Sequence, residues 1–389
     1  MAHVTLAEGR LLLHAPGKPA VELESPFALE YVGREEKRLE RHAWKGRERE
    51  EAGPYASRVV WGRQVPGDAA RHRPVIRHVT RGASSDELFY VVGMSHSAGL
   101  FRRNLSSGEE WRLFHKEDFD ACGIGCDART GRVVVASRGA DGMGKLQLVD
   151  DTDRRRDTIT SGDGHDTLPS FDAADPDWIL FQSNGVGRDE EGSVVAFGPA
   201  EIHRVNPTSG HHEILLADEH WDYLCPRRTP DGWLLYIRRP YQDRAHISLG
   251  DQVKAFAMLP VTLGAAVFGF LDAFSRIFAR QSLRPTGGPN SPEVARGPRF
   301  GTFLGEAVRL DKVTRRLASG DESVRLVPAT WELRRRDAAG TDELIDRHVV
   351  SYDVAPDGRV IYTDGVRVWV DGAAARTGAA LIQAVVALS

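Results

Sequence analysis

The sequence predicts an all-β protein built as a β-propeller of six blades, although five or seven blades also fit the pattern. The main observation is a phrase that recurs at a period of roughly 45 residues, a turn with Asp or Gly followed by a short apolar strand. A second observation is a hairpin with a Gly turn, such as Asn206–Gly210, which follows several copies. The five copies of the phrase are Asp86–Tyr90, Gly131–Val135, Asp177–Phe181, Asp231–Tyr236 and Asp357–Tyr362.

The N-terminal part of the chain carries none of these copies. Within Val4–Phe27, the segments Gly9–Leu13 and Ala20–Leu23 read as a hairpin. We expect it to join the C-terminal strands in one blade, because ring closure removes open sheet edges. The charged stretch Gly33–Glu51 mixes both signs without an apolar stripe, which indicates an exposed helix or loop between blades. Further blades are predicted to begin near five residues, His78, Asp120, Asp166, Asp222 and His348.

The clearest repeat unit runs from His165 to Leu216 and shows how each blade is interpreted. Its predicted strands are separated by a polar excursion at Ser183–Glu191, which we interpret as a loop. The same hairpin phrase occurs at Val308–Leu317. We therefore expect Trp233–Ile237 and Ala307–Leu310 to belong to one blade, on either side of an inserted segment.

Composition narrows the class of protein. The chain has 389 residues, of which 41% are hydrophobic and 27% charged, with a net charge of −4. This near-neutral balance argues against nucleic acid as a main partner, which usually requires a concentrated basic face. No secretory signal is visible at Met1–Leu6, and Cys122, Cys126 and Cys225 read as reduced core cysteines. We expect a cytoplasmic protein.

An inserted segment at residues 251–300 interrupts the strand pattern, so the predicted propeller consists of residues 1–250 and 301–389. The 17 residues of Ala255–Leu271 carry no charge, and apolar residues then recur at helical spacing, which predicts an amphipathic helix over Val261–Arg280. Ser282–Pro298 is rich in Pro, Gly and Arg and reads as an extended loop. The residues predicted to bind a partner or a surface are Leu263, Val267, Phe268, Phe270, Leu271, Phe274, Ile277, Phe278, Arg276 and Arg280.

Three interpretations of this segment remain open. A membrane span needs about 20 apolar residues, but one crossing would separate strands that we assign to a single blade. The helix could instead pack against the wall of its own propeller. It could also dock on a partner protein or an anionic membrane surface, since residues 251–300 hold six basic side chains against three acidic ones.

One set of residues in the sequence could form a functional site. Histidines and carboxylates at the predicted blade starts could converge at the mouth of the central channel and hold a divalent metal. The residues are His78, His165, His220 and His348, with Asp120, Asp166 and Asp222. The histidines lie at unequal offsets from the turn phrase, so structural roles are favoured, and we predict no catalytic residue, no metal and no cofactor. Gly123–Gly125 and Gly139–Gly144 lack the context of a nucleotide-binding loop.

The turn motifs resemble those of TolB-like propellers, in which a blade reads Asp, then Pro and an aromatic residue, then Pro-Asp-Gly before an apolar strand. The matching residues are Asp166, Pro169, Ser170 and Phe171, then Asp222, Pro226, Pro230, Asp231 and Gly232, and finally Pro356, Asp357 and Gly358. These motifs specify turns, and they cover about three quarters of the chain. In this family the Asp orders contacts between blades, and similar lyases that act on acidic sugars hold a metal at the channel mouth.

A second resemblance concerns the apolar insert after the strand end Arg238–Tyr241. It is similar to the propellers of bacterial conflict systems that pair a MoxR-type ATPase with a von Willebrand factor A protein, and it implies a non-enzymatic scaffold or sensor. From the whole sequence we expect a binding module with a protein partner, and peripheral membrane contact as an additional possibility. The alternative is a metal-dependent lyase or hydrolase that acts on carbohydrate or lactone.

Overall fold

The computed structural model describes residues 1–50, 74–94, 97–149, 156–242, 300–304, 306–309, 323–370, 372–375 and 381–388, with residues 313, 315–317, 319 and 321. Within these residues the chain forms six four-stranded antiparallel sheets and one separate hairpin. The sheets are the blades of a propeller, which confirms the predicted architecture and the blade count.

Both ends of the chain contribute strands to blade 1. Its outer strands are β1 (His3–Ala7), β2 (Arg10–His14) and β3 (Val21–Glu22), and its inner strand is the last of the chain, β26 (Ile382–Ala387). Because β1 pairs with β26 from His3↔Ala387 to Ala7↔Ile382, the ring is closed by hydrogen bonds between the two ends of the chain. The predicted joining of N- and C-terminal strands is confirmed.

A helix, α1 (Pro26–Glu50), connects blade 1 to blade 2. Ser25 caps its N-terminus by accepting the backbone N–H of Ala28 on its hydroxyl at 3.2 Å, and Pro26 takes the first helical position, where no N–H is needed. The charged stretch from Gly33 to Glu50 is therefore helical, and its side chains from Arg34 to Arg38 are mainly exposed.

Blades 2, 3 and 4 each consist of four consecutive strands, with the first strand innermost. Blade 2 contains β4 (Val75–Arg81), β5 (Glu87–Gly93), β6 (Ser97–Asn104) and β7 (Glu110–Glu117). Blade 3 contains β8 (Ala121–Cys126), β9 (Val133–Arg138), β10 (Gly144–Val149) and β11 (Arg156–Thr158). Blade 4 contains β12 (His165–Phe171), β13 (Ile179–Arg188), β14 (Val194–Val205) and β15 (His212–Leu216).

Blade 5 is interrupted in sequence between its second and third strands. It contains β16 (Trp221–Arg228), β17 (Leu234–Pro240), β20 (Glu332–Arg336) and β21 (Asp342–Arg347). The separate hairpin lies between β17 and β20 in sequence and consists of β18 (Phe300–Phe303) and β19 (Glu306–Arg309). Blade 6 contains β22 (Ser351–Val354), β23 (Val360–Thr363), β24 (Val368–Val370) and β25 (Ala373–Ala375).

The predicted partner of the second strand of blade 5 was wrong. β17 pairs with β20, from Leu234↔Arg336 to Arg238↔Glu332, whereas Glu306–Arg309 pairs with β18. The hairpin phrase at Val308–Leu317 thus resembles a blade hairpin without being one. The true third strand is rich in arginine, so its sequence lacks the apolar signal of the other blades.

The core lies between neighbouring blades. Val134 and Ala136 of blade 3 cluster with Ile179 and Phe181 of blade 4. The same arrangement joins the other blades, because alternate residues of each strand point to one or the other neighbour. Cys122 is buried, Cys126 and Cys225 are partly buried, and no disulfide joins any of the three.

The alternation of strand direction fixes which features share a face. We call the face at which the inner strands begin the entry face. In each blade the second strand ends at this face and the third begins there. The chain therefore leaves β17 after Pro240 and re-enters blade 5 at Glu332 on the entry face.

The partner-binding residues predicted in the insertion lie outside the described residues. They are Leu263, Val267, Phe268, Phe270, Leu271, Phe274, Arg276, Ile277, Phe278 and Arg280. Their role, and the division of the chain into residues 1–250 with 301–389 and 251–300, stay predictions.

Candidate functional site

The mouth of the channel on the entry face carries the predicted aspartates. Asp166 and Asp222 lie near the starts of their inner strands, and Asp120 directly precedes β8. Each carboxylate binds a side chain at the corresponding level of the next strand in its own blade. The three contacts are Asp120 Oδ2 with Arg138 Nη1 at 2.8 Å, Asp166 Oδ1 with Ser183 Oγ at 2.7 Å, and Asp222 Oδ2 with Arg239 Nε at 2.9 Å.

Asp222 and Asp120 also reach the preceding blade. The buried Asp222 accepts the backbone N–H of Ala200 in β14 at 2.8 Å on its other oxygen. Asp120 Oδ1 accepts from Arg77 of blade 2 at 3.1 Å. Both oxygens of these two carboxylates therefore bind protein groups, and the arrangement ties adjacent blades together.

His78 and His165 also form hydrogen bonds between neighbouring blades. His78 Nε2 lies 3.0 Å from the carbonyl oxygen of Ala121 in blade 3, and His165 Nδ1 accepts the N–H of Gly144 at 2.8 Å. Burial lowers the pKa of both imidazoles to about 4, so both are neutral at physiological pH.

The other two predicted histidines do not join them. His220 is 75% exposed and faces Asp218 at 3.6 Å, whereas His348 Nδ1 lies 2.8 Å from the carbonyl oxygen of Val327. Among the described residues, no three side chains of His, Cys, Asp or Glu come together in a way that could hold a metal ion. The described part of the mouth therefore offers hydrogen bonds between blades and no metal-binding set.

Deeper in the channel, polar side chains of one inner strand bind the backbone of the next. Ser170 of β12 donates to the carbonyl of Pro226 in β16 at 2.7 Å, and the Tyr352 hydroxyl of β22 lies 2.5 Å from the carbonyl oxygen of Cys225 in β16. The Asp353 carboxylate accepts the N–H of Ala387 in β26 at 2.9 Å. These bonds satisfy backbone groups on the free edges of the inner strands, which would otherwise be unpaired.

Glycines allow blades 3 and 4 to approach each other closely. A Cβ atom at Gly144 would lie 2.3 Å from the carbonyl oxygen of Asp166, and one at Gly125 would lie 2.7 Å from that of Pro169. Of the glycines in the stretches Gly123–Gly125 and Gly139–Gly144, three therefore serve the packing of blade 3 against blade 4, namely Gly123, Gly125 and Gly144.

The sequence interpretation missed a protruding hairpin in blade 4. The predicted loop Ser183–Glu191 is largely strand, because β13 has 10 residues and β14 has 12. β12 ends its pairing at His165↔Asn184, so residues 185–199 form a two-stranded ribbon that extends from the entry face; we call it the blade 4 arm. The turn Asp189–Gly192 and the apolar run Val194–Phe197 were the signals that could have revealed it.

A second missed feature lies over blade 6. The segment 324–331, which precedes β20, packs its Leu326 side chain against Gly365 and pairs Arg325 with the buried Asp364 at 3.5 Å. Burial raises the pKa of the Asp364 carboxyl, although the nearby guanidinium opposes this shift. The segment 324–331 is therefore packed against blade 6 at the entry face.

Within the described ranges, no helix combines the length and the apolar character that crossing a bilayer requires. The 25-residue helix α1 has the length, but its sequence is strongly charged.

Comparison with known proteins supports the assignment of the fold. No protein-family model matches the sequence, and no curated protein matches it. Among solved structures, TolB from Acinetobacter baumannii aligns with a TM-score of 0.50 at 10% identity, covering 99% of this chain and 65% of that chain. This chain therefore spans slightly less than two thirds of that protein's length.

Two further structures show weaker likeness. The tricorn protease aligns with a TM-score of 0.46 at 12% identity, covering 96% of this chain and 33% of that chain. A putative TolB from Agrobacterium tumefaciens aligns with a TM-score of 0.39 at 11% identity, covering 78% and 81%. At such identities the likeness concerns the fold alone, a TolB-like β-propeller.

Proposed function

We propose that this protein is a non-enzymatic binding module that recognises a partner protein through its entry face. The proposal rests on one observation: the ionisable groups at the channel mouth already bind other parts of the protein. Asp120, Asp166, Asp222, His78 and His165 all hold neighbouring strands or blades. Catalysis needs groups free to bind a substrate or a metal, and the described mouth offers structural contacts instead.

Two features of the entry face are unnecessary for closing the ring. One is the blade 4 arm, and the other is the excursion that leaves blade 5 after Pro240. Tyr241, at the start of this excursion, donates its hydroxyl to the carbonyl of Phe197 in the arm at 2.7 Å. The two features therefore begin side by side, and they favour this face as the surface for recognition.

The apolar segment within residues 251–300 is proposed to supply the main contact. Phe268, Phe270, Phe274 and Phe278 are large apolar side chains, and transferring each from water to a partner would contribute about 1.5–3 kcal/mol. Arg276 and Arg280 would add affinity for acidic groups at the rim. An anionic membrane surface is a second, weaker candidate for this contact.

Deletion of Asp251–Pro298, with a short Gly-Ser linker in its place, tests the proposal. We expect a propeller that stays folded, with a single cooperative thermal unfolding transition, and that no longer captures its partner from a lysate of the native cells. A matched control deletes Ser282–Pro298 alone, which keeps the apolar helix and should keep the partner.

Two results would contradict the proposal. Full partner capture by the larger deletion would show that the segment takes no part in recognition. Loss of the folded ring would show that the segment belongs to the core. If the captured partner were a MoxR-type ATPase or a von Willebrand factor A protein, the sequence resemblance to bacterial conflict systems would extend to function.

A further inference from the structure

The blade 4 arm carries an unpaired strand edge. β13 pairs with β12 as far as Asn184, and its partner β14 continues to pair with it at Val186↔Phe197, Gly187↔Ala196 and Arg188↔Val194. Both register shifts place the extra residue on β14, so β13 runs without a bulge from Ile179 to Arg188. No described strand pairs with β13 on its other side beyond Asn184.

The hydrogen bonds of β14 show which backbone groups face that edge. Ala200 donates its N–H to Asp222, and the carbonyl of Phe197 accepts from Tyr241, so both groups point away from β13. In an antiparallel pair, the residue opposite such a group also points its N–H and C=O outward. Asn184 thus faces β12, and Val186 presents both groups at the open edge.

The arm is held in a defined conformation. Asn184 donates from Nδ2 to the carbonyl of Gly198 at 2.9 Å, and the Phe197 ring lies 5.3 Å from that of His165. At the tip, the Asp189 carboxylate accepts the N–H of Ser193 at 2.7 Å. An edge that is already ordered loses little conformational entropy when a partner strand binds it.

Among the described residues, those around the edge are exposed and mainly acidic. Gly185 and Gly187 are exposed, and a Cβ atom at Gly185 would meet nothing within 4 Å. In the part of the chain that the structure describes, the exposed carboxylates near the edge belong to Asp163, Asp189, Glu190 and Glu191. The nearby cations are Arg188, which binds Asp163 at 2.8 Å, and Lys145, which donates to the Gly164 carbonyl at 2.8 Å, so carboxylates remain in excess. This local charge favours a basic occupant and disfavours nucleic acid and anionic lipid.

We propose that the blade 4 arm binds an extended, basic segment of a partner protein, which adds to β13 as a further strand at Val186. The backbone groups of Val186 supply main-chain hydrogen bonds, and lysine or arginine side chains of the segment pair with Glu190 and Glu191. The inference rests on the proposed binding function, because it names the chemistry of the partner at the same face.

Val186→Pro is the variant that tests the strand addition. It removes the outward N–H and leaves the bonds between β13 and β14 in place, because Val186 does not donate into that ladder. Val186→Thr is the matched control, since threonine keeps the N–H and suits a strand. Glu190→Lys with Glu191→Lys tests the charge, and Asp189 is left unchanged because it holds the turn.

The probe is a fluorescent extended peptide of alternating lysine and valine, with a glutamate–valine peptide as its charge control. We expect the basic peptide to bind the full-length protein and to protect the Val186 amide from hydrogen exchange. Val186→Pro should weaken binding by about tenfold, as should the double lysine variant. Val186→Thr should bind like the wild type, and added salt should weaken binding.

Several outcomes would overturn the inference. These are equal binding by Val186→Pro, preference for the acidic peptide, or no binding of the basic peptide to the wild type. A dimer that Val186→Pro abolishes would show that the occupant is a second copy of this chain. If the Asp251–Pro298 deletion loses its partner while Val186→Pro keeps it, the arm inference fails and the proposed function stands.

Discussion

His3 and His14 lie opposite each other in the first hairpin of blade 1, with ring centroids 4.7 Å apart and planes inclined by 8°. His3 is 6% exposed, and its Nε2 atom is buried without a hydrogen-bond partner. Burial lowers the pKa of His3 to about 4, and the nearby His14 adds to this shift. The stack therefore favours neutral imidazoles at His3 in β1, the strand that closes the ring, and at His14 in the adjacent β2.

This stack predicts a loss of stability in acid. The unfolded chain binds a proton at His3 near pH 6.5, whereas the folded chain resists it until about pH 4. The free energy of unfolding should thus fall as the pH falls from 6.5 toward 4. In His3→Phe, which keeps a ring against His14 without a titrating group, this pH dependence should be weaker by up to about 1.4 kcal/mol per pH unit.

Urea unfolding of both proteins between pH 7.5 and 4.5 measures the difference. Buried histidines elsewhere, His78 and His165, contribute to the acid dependence of both proteins alike. An identical pH slope in His3→Phe and wild type would show that His3 is already accessible to protons in the folded protein.

The elements show where a sequence pattern suffices and where it misleads. The apolar second strands, such as Leu234–Pro240, stand out because both of their faces pack against neighbouring blades. β20 reads Glu-Leu-Arg-Arg-Arg and escaped recognition, because ion pairs such as Arg334 with Asp342 at 2.9 Å take the place of apolar contacts. The arm was missed for a related reason, since its tip is charged and its strands extend beyond the sheet.

The spacing of β10 against β12 yields a prediction at the scale of elements. Replacing Gly144 by alanine should destabilise the protein by about 1–3 kcal/mol, because the new methyl group would meet the Asp166 carbonyl in β12 and the Cys122 sulfur in β8. Gly185→Ala is the matched control, since its Cβ atom enters open space and should change stability by less than about 0.5 kcal/mol.

Denaturant unfolding of the two alanine variants provides the comparison. Equal stability of Gly144→Ala and Gly185→Ala would mean that blades 3 and 4 can separate at no cost, and that the close approach is not required for the ring.

The architecture of the whole molecule could be predicted because it depends on a repeated sequence pattern and on closure of the ring by the two ends of the chain. Turn phrases at regular spacing fix the blades, and β1 with β26 closes them. The roles at the channel mouth could be predicted only in outline, because Asp222 and Asp120 acquire their partners from other blades. The sequence does not show which groups of one blade will lie against the carboxylates of the next.

The metal content of the purified full-length protein, measured by mass spectrometry after gel filtration without chelator, tests the structural role of the channel mouth most directly. Because His165 and the mouth aspartates hold neighbouring strands or blades, we expect far less than one Mn, Ca or Zn ion per chain, with no change in His165→Ala or His220→Ala. A stoichiometric ion that either substitution removes would contradict the account and favour a metal-dependent enzyme.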